Sequence, residues 1–225
     1  MIKENSIELS VNKITITQDH VNKRYIGPGA FHRWQTEKNI LEAIVNTLPV
    51  PKMLINTNEA EISVEVVPGK SCDLLMSLQN SQNLFHNIGL VLRTIHLFPV
   101  QELTGNIQGY GSALIHGDFN IYNIIFDLSA KTEICILDWE WAHLGETVED
   151  LAWMEWSIRM NFTKFEKDLP YFYEGYGEIP DWRYRKDAMI MQCNRNLEYA
   201  RMIGERKTIQ QWQHRAQITK RMQPF

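Results

Sequence analysis

The sequence predicts an α+β protein of two lobes: a small one built on an antiparallel sheet over residues 1–67 and a larger, mainly helical one over residues 68–225. Three observations predict it. Residues 7–26 fall into three short strand-like runs separated by polar pairs. Pro68-Gly69 then closes a last strand-like run with a turn signal, where one lobe hands over to the next. Beyond that point Leu84, Ile88, Val91, Leu92 and Ile95 recur at the three- and four-residue spacing that lines one face of a helix.

Taken in order, the runs IELSV, ITITQ and VNKRYI read as a meander, with Asn12-Lys13 and Asp19-His20 as the hairpin turns. Gly27-Pro28-Gly29 breaks it. The stretch from Phe31 to Leu48 then places Ile40, Leu41, Ile44 and Leu48 on one helix face, and Pro49 and Pro51 forbid continuation. KMLIN and EISVEVV are two further strands. In the larger lobe the apolar runs ALI, NIIF and EICIL interrupt the helices between residues 112 and 140, and helical periodicity resumes from Val148 with a break near Gly175, Gly177 and Pro180.

The totals exclude several classes. With 225 residues, 44% apolar and 22% charged, the chain is long enough and apolar enough to bury a substantial core. A net charge of -4 gives no global reason to expect a nucleic-acid binder, which needs positive charge to displace counterions from phosphates. Cys72, Cys135 and Cys193 are odd in number and far apart, which suggests neither a disulfide framework nor a metal cluster and fits a reducing, cytoplasmic setting. No signal-like segment or membrane-length apolar run is present, so a soluble protein is expected; oligomeric state is left open.

Chemistry concentrates in LIHGDFNIYNIIFD and CILDWEWA. Asp118 and Asn123 lie on a short loop between apolar runs, and a hairpin of Asn123–Phe126 with Ile134–Leu137 brings Asp138 back beside Asn123. Two acids and an amide of this kind supply what phosphoryl transfer needs: a carboxylate for the attacking hydroxyl, and oxygen ligands that hold magnesium on a triphosphate.

HGDFNIYN and LDWE resemble the catalytic loop and the metal-binding motif of the aminoglycoside phosphotransferase and choline kinase-like family, in order and in spacing. The resemblance covers residues from about 7 to 160. It implies a protein kinase-like fold with a reduced N-terminal lobe, transfer of the γ-phosphoryl of ATP or GTP to a hydroxyl of a small molecule, and Mg2+ as cofactor. Carried over, Asp118 is the catalytic base, Asn123 and Asp138 hold the metal, and Asp150 in GETVEDLAW steadies the catalytic loop. Lys23 on a strand, paired with Glu37 on the following helix, binds phosphates; Arg24 is the neighbouring alternative. The linker backbone from Glu65 to Val67 meets the adenine ring.

The sequence departs from the family at two places. Position 120 is Asn where many members have His, and residues 1–26 contain no glycine, so the hairpin that closes over phosphates looks truncated. That second departure supports an alternative, a catalytically weak or inactive kinase-like nucleotide-binding module. A protein kinase ranks lower, because the loop reads HGD and Asp138 is followed by Trp-Glu.

Other residues take plainer readings. His116 braces the loop, His96 is a packed core histidine or a helix C-terminal cation, and Gly27-Pro28-Gly29 is a turn into the helix. Trp139, Trp141, Trp153 and Trp156 read first as core and second as walls of an acceptor pocket. Nine acids against three bases between residues 140 and 180 read as a solvated face or an acidic site for a cationic acceptor. The arginines after Trp182 read as a solvated face or a surface for an anionic partner.

Overall fold

The computed structural model describes residues 5–8, 11–54, 58–76, 81–103, 107–127 and 133–225. Strands β1 (Asn5–Glu8), β2 (Asn12–Ile16), β3 (His20–Tyr25), β4 (Met53–Leu54) and β5 (Glu61–Glu65) form a five-stranded antiparallel sheet in the order β1-β2-β3-β5-β4. The meander is as expected but its first turn is not at Asn12-Lys13: Asn12 opens β2 opposite Tyr25 and is buried, and positions 9 and 10 lie outside the described residues. The second turn holds as read, with the Thr17 hydroxyl accepting from the His20 N–H at 3.0 Å.

Gly29, at φ 67°, swings the chain into helix α1 (Ala30–Ile44), which buries Arg33, Glu37, Ile40, Leu41 and Ile44 along one face. The helix ends at Ile44, four residues short of its apolar run, because the chain tightens ahead of Pro49: both Thr47 and Leu48 donate their N–H to the Ile44 carbonyl, at 2.9 and 2.8 Å. The strand expected from KMLIN narrows to β4, part of the run lying outside the described residues.

After Pro68 the chain changes sheets. Strand β6 (Lys70–Ser71) pairs with β8 (Ile124–Asp127), which pairs with β9 (Glu133–Ile136); β7 (Ala113–Ile115) and β10 (His143–Gly145) form a separate pair. Around them lie the short α2 (Cys72–Leu75), then α3 (Ser81–His96), α4 (Val148–Asn161), α5 (Leu169–Tyr176), α6 (Trp182–Ile203) and α7 (Arg206–Arg221). Helices α3 and α5 meet almost backbone to backbone, since a Cβ at Gly89 would lie 2.1 Å from the Phe172 carbonyl oxygen and one at Gly175 2.0 Å from that of His86.

One apolar core runs from Ile40 and Leu41 of α1 through Ile88, Leu92, Phe119 and Trp139 to Leu151 and Phe172; a second gathers Trp153, Trp156, Met189, Cys193 and Ala216 between α4, α6 and α7. The three cysteines are unpaired, as expected. Among the described residues no helix is long and apolar enough to cross a membrane.

Candidate active site

Strand alternation puts Lys23 and Arg24 on opposite faces. Lys23 faces α1 and its side chain is 12% exposed, whereas Arg24 is turned out to solvent. The Lys23 ammonium contacts Glu37 Oε2 at 2.6 Å, Glu140 Oε2 at 3.0 Å and Asp138 Oδ1. Burial alone would lower this ammonium, but the carboxylates of Asp138, Glu37 and Glu140 outweigh it and hold the group well above its ordinary value. Asp138 shows the reciprocal effect: burial opposes ionisation, yet Lys23 holds the carboxyl below the usual range.

Glu37 is fixed twice more, by the Tyr25 hydroxyl and by the Trp139 N–H, which donates to Oε1 at 3.2 Å. Glu140 accepts from Arg33 Nη1 at 3.0 Å and from Asn12 Nδ2 at 2.9 Å, and Asn12 Oδ1 accepts from the same Arg33 nitrogen at 3.0 Å. The residue read as a hairpin turn thus ties the first hairpin to the segment after Asp138.

Asp118, Asn123 and Asp138 come together as expected. The Leu137 N–H donates to the Asn123 carbonyl at 2.9 Å, so the hairpin carries Asp138 back beside the loop. Asn123 Nδ2 donates to Asp118 Oδ2 at 3.1 Å and to the Asp118 carbonyl at 3.0 Å, and Asn120 donates to the same carbonyl at 2.9 Å. His116 bonds the Leu137 carbonyl through Nε2 at 2.9 Å, which leaves Nδ1 to accept from the Asp118 N–H at 3.2 Å. It braces the loop rather than facing a substrate.

Gly117 sits at φ 79°, where a Cβ would lie 2.2 Å from the Trp141 carbonyl oxygen, and Asp138 takes φ 69°, a conformation uncommon for a non-glycine residue. Beneath the loop, buried Asp150 accepts from the N–H groups of His116 and Gly117 at 2.7 and 2.9 Å and contacts His96 at 3.2 Å. Burial raises the Asp118 carboxyl to about 6, reinforced by the charge on Asp138 and opposed by a hydrogen bond from the Trp153 indole.

Asn123 Oδ1 and Asp138 Oδ2 have no hydrogen bond among the described residues. Oxygen atoms of this kind suit a hard divalent cation that keeps most of its water. Glu65 closes β5 and Val67 lies just beyond it; the Glu65 N–H is already bonded to the Lys52 carbonyl at 3.0 Å, while the Val67 N–H has no backbone partner among the described residues.

A cavity of about 540 Å³ opens in front of Asp118, between the start of α1 and the face of α6 that carries Gln192, Arg195 and Tyr199. Of the four tryptophans read as core or pocket, Trp141 lines it, packed edge-on against Tyr199 at 5.2 Å, and Trp139, Trp153 and Trp156 are buried. Sequence reasoning read Asn12 as a turn, Trp153 as core or pocket wall and Glu140 as one of a run of acids, and it gave Arg33 no role. Only Glu140 had a signal, two residues after Asp138 within LDWE.

A small antiparallel sheet beside a helical lobe, with the Lys23–Glu37 pair meeting Asp138 near Asp118, is the arrangement of a kinase-like fold. Residues 108–187 match the family model described as phosphotransferase enzyme family, so the resemblance carried by HGDFNIYN and LDWE is borne out. The fold is that of the GDP and kanamycin complex of APH(2")-IIia, at a TM-score of 0.75 and 13% identity over 98% of this chain and 94% of that one. It is also that of macrolide 2'-phosphotransferase MphH from Brachybacterium faecium (TM-score 0.63, 16% identity, 100% and 94% covered). A choline/ethanolamine kinase family protein from Mesorhizobium loti is similar at a TM-score of 0.68, with 11% identity and 98% and 88% covered. A segment of 55 residues, 24% of the chain, is 40% identical to the probable acyl-CoA dehydrogenase IBR3 of Arabidopsis thaliana, of whose length it spans 6%.

Proposed function

We propose that this protein transfers the γ-phosphoryl of ATP or GTP to a hydroxyl of a small molecule, in a cytoplasmic setting, with residues 1–67 as the nucleotide lobe and 68–225 as the catalytic and acceptor lobe. The observation that carries the reading is the junction of two sets of groups. Lys23 and Glu37 from the sheet lobe meet Asp138 from the helical lobe directly, and Asp118 stands next to that junction at the mouth of a cavity of acceptor size.

Asp118 accepts the acceptor's proton and orients its oxygen, held by Asn123 and Trp153 so that little reorganisation accompanies the step. Lys23 meets the phosphates as a point charge and Glu37 keeps it in place. Asn123 and Asp138 hold Mg2+, which when bound neutralises charge on the triphosphate. The adenine or guanine ring meets the linker backbone between Glu65 and Val67, where the Val67 N–H is the available donor.

The reading of a weak or inactive nucleotide-binding module is not favoured. It rested on the glycine-free first hairpin, and that hairpin is tied into the site through Asn12. The test is a transfer screen with ATP and GTP on wild type beside Asp118→Asn. Wild type is expected to form phosphorylated product and the variant about a hundredfold less or lower still; equal product from both proteins rejects Asp118 as the base.

A further inference from the structure

The cavity in front of Asp118 is not built for a polycation. Of the nine acids between residues 140 and 180, only Glu140 lines it, and Glu140 is already bound to Lys23, Arg33 and Asn12. The others are spent elsewhere or face solvent. Glu149 pairs with His143 at 3.0 Å, Asp150 holds the loop, Glu155 binds Arg159 and Arg185, Glu166 meets Arg159 at 3.1 Å, and Asp168 accepts from Ser81 at 2.7 Å.

The arginines after Trp182 divide in the same way. Arg185 is buried against Glu155, and Arg215 lies over the Trp156 and Trp212 rings. Arg195 differs from both. It lines the cavity and is exposed into it, and its Nη2 lies 3.5 Å from the carbonyl of Gly117, the residue before the base. No carboxylate lies within 4 Å of its guanidinium among the described residues. Crowding by the surrounding protein holds the guanidinium below its ordinary value, although the charges on Glu149, Asp118 and Asp150 act the other way.

A cation placed in a concave site without a counter-ion favours a ligand that brings one, and a guanidinium matches carboxylate and phosphate oxygens two at a time. The remaining groups suit the rest of such a ligand: Gln192 and Asn196 offer amides, and Trp141 and Tyr199 an aromatic wall. Besides Asp118 itself, which is held by Asn123 and Trp153, Glu198 is the one lining carboxylate with no ion pair among the described residues, too few for a ligand carrying several ammonium groups.

We propose that the acceptor is a hydroxylated compound bearing a carboxylate or a phosphate, received by Arg195 while its hydroxyl faces Asp118. This rests on the phosphotransferase reading above, and the experiment separates the two. With the nucleotide site filled by Mg2+ and a non-hydrolysable ATP analogue, wild type, Arg195→Gln, Glu198→Gln and Arg201→Gln are titrated calorimetrically with glycerol 3-phosphate, glycerate, glycerol and kanamycin. Arg201 lies on the same helix, exposed and outside the cavity.

The expected result is that at least one acidic probe binds wild type at least tenfold more tightly than glycerol, which of the two identifying the anion. Arg195→Gln loses that preference, and Arg201→Gln and Glu198→Gln keep it. Failure of both acids to outbind glycerol, or a preference that survives Arg195→Gln, overturns the proposal. So does tightest binding of kanamycin abolished by Glu198→Gln. If the Mg2+ analogue itself does not bind, the phosphotransferase reading fails, and the same titrations on the free protein decide the role of Arg195 alone.

Discussion

The indole N–H of Trp153 donates to Oδ1 of Asp118 at 2.8 Å, while Asn123 holds Oδ2 from the loop itself. The indole is itself braced. It stacks on Trp156 at 4.3 Å with 9° between the planes, Trp156 bonds Thr219 of α7 at 2.7 Å, and Trp212 of the same helix closes the stack. The proposed base is therefore held by the terminal helix through a chain of aromatic contacts.

Trp153→Phe keeps most of that packing and removes the donor. A hydrogen bond to a charged group contributes about 1.5–3 kcal/mol, so kcat is expected to fall roughly tenfold to a hundredfold. The nucleotide KM should stay close to that of wild type. Steady-state kinetics read the split, and a change confined to KM would remove Trp153 from the positioning of Asp118.

The Asp118 carboxyl, raised to about 6 by burial and by Asp138, must be ionised to accept a proton. The sign follows directly: kcat/KM should fall as pH drops through about 6, with an acid limb of unit slope. The pH profile of kcat/KM checks it.

Lys23 is the shared partner of three carboxylates, two of them nearly buried. Lys23→Met leaves Glu37, Asp138 and Glu140 to repel one another with only Arg33, Asn12 and Tyr25 in attendance. Removing one partner from a buried ion pair costs about 3–5 kcal/mol, and a fall in stability of that order is expected in urea unfolding, together with weaker nucleotide binding. An unchanged denaturation midpoint would mean that the cluster is not held by this lysine.

Burial works against ionisation of Asp150, but the hydrogen bond and charge of His96 and the His116 N–H bond prevail and depress its carboxyl. A depressed acid stabilises the fold above its unfolded value, near 3.9, and that contribution is lost as pH falls through the folded value. Asp150→Asn should lower stability at pH 7 and flatten the loss of stability below about pH 4. Unfolding midpoints across that range measure both effects, which also separate Asp150 from a group that merely fills space.

The strands, the helices and the loop were legible because each rests on short-range pattern. Three- and four-residue apolar spacing placed α1 and α3, and a turn of polar residues between apolar arms brought Asn123 and Asp138 together. The error at Asn12 shows the limit. An asparagine beside a lysine looks like a turn residue, but its side chain meets Glu140, 128 positions later, and no local pattern carries that partner.

By itself, then, the sequence determined the periods of its elements and the order of Asp118, Asn123 and Asp138, because hydrophobic spacing and loop length act between near neighbours. The tertiary structure alone decided that Trp153 holds Asp118, that Lys23 is shared by three acids, and that of the arginines after residue 140 Arg195 faces the cavity without a carboxylate partner among the described residues. Charges neutralise one another through space, and which of them remain uncompensated is fixed only when distant segments pack.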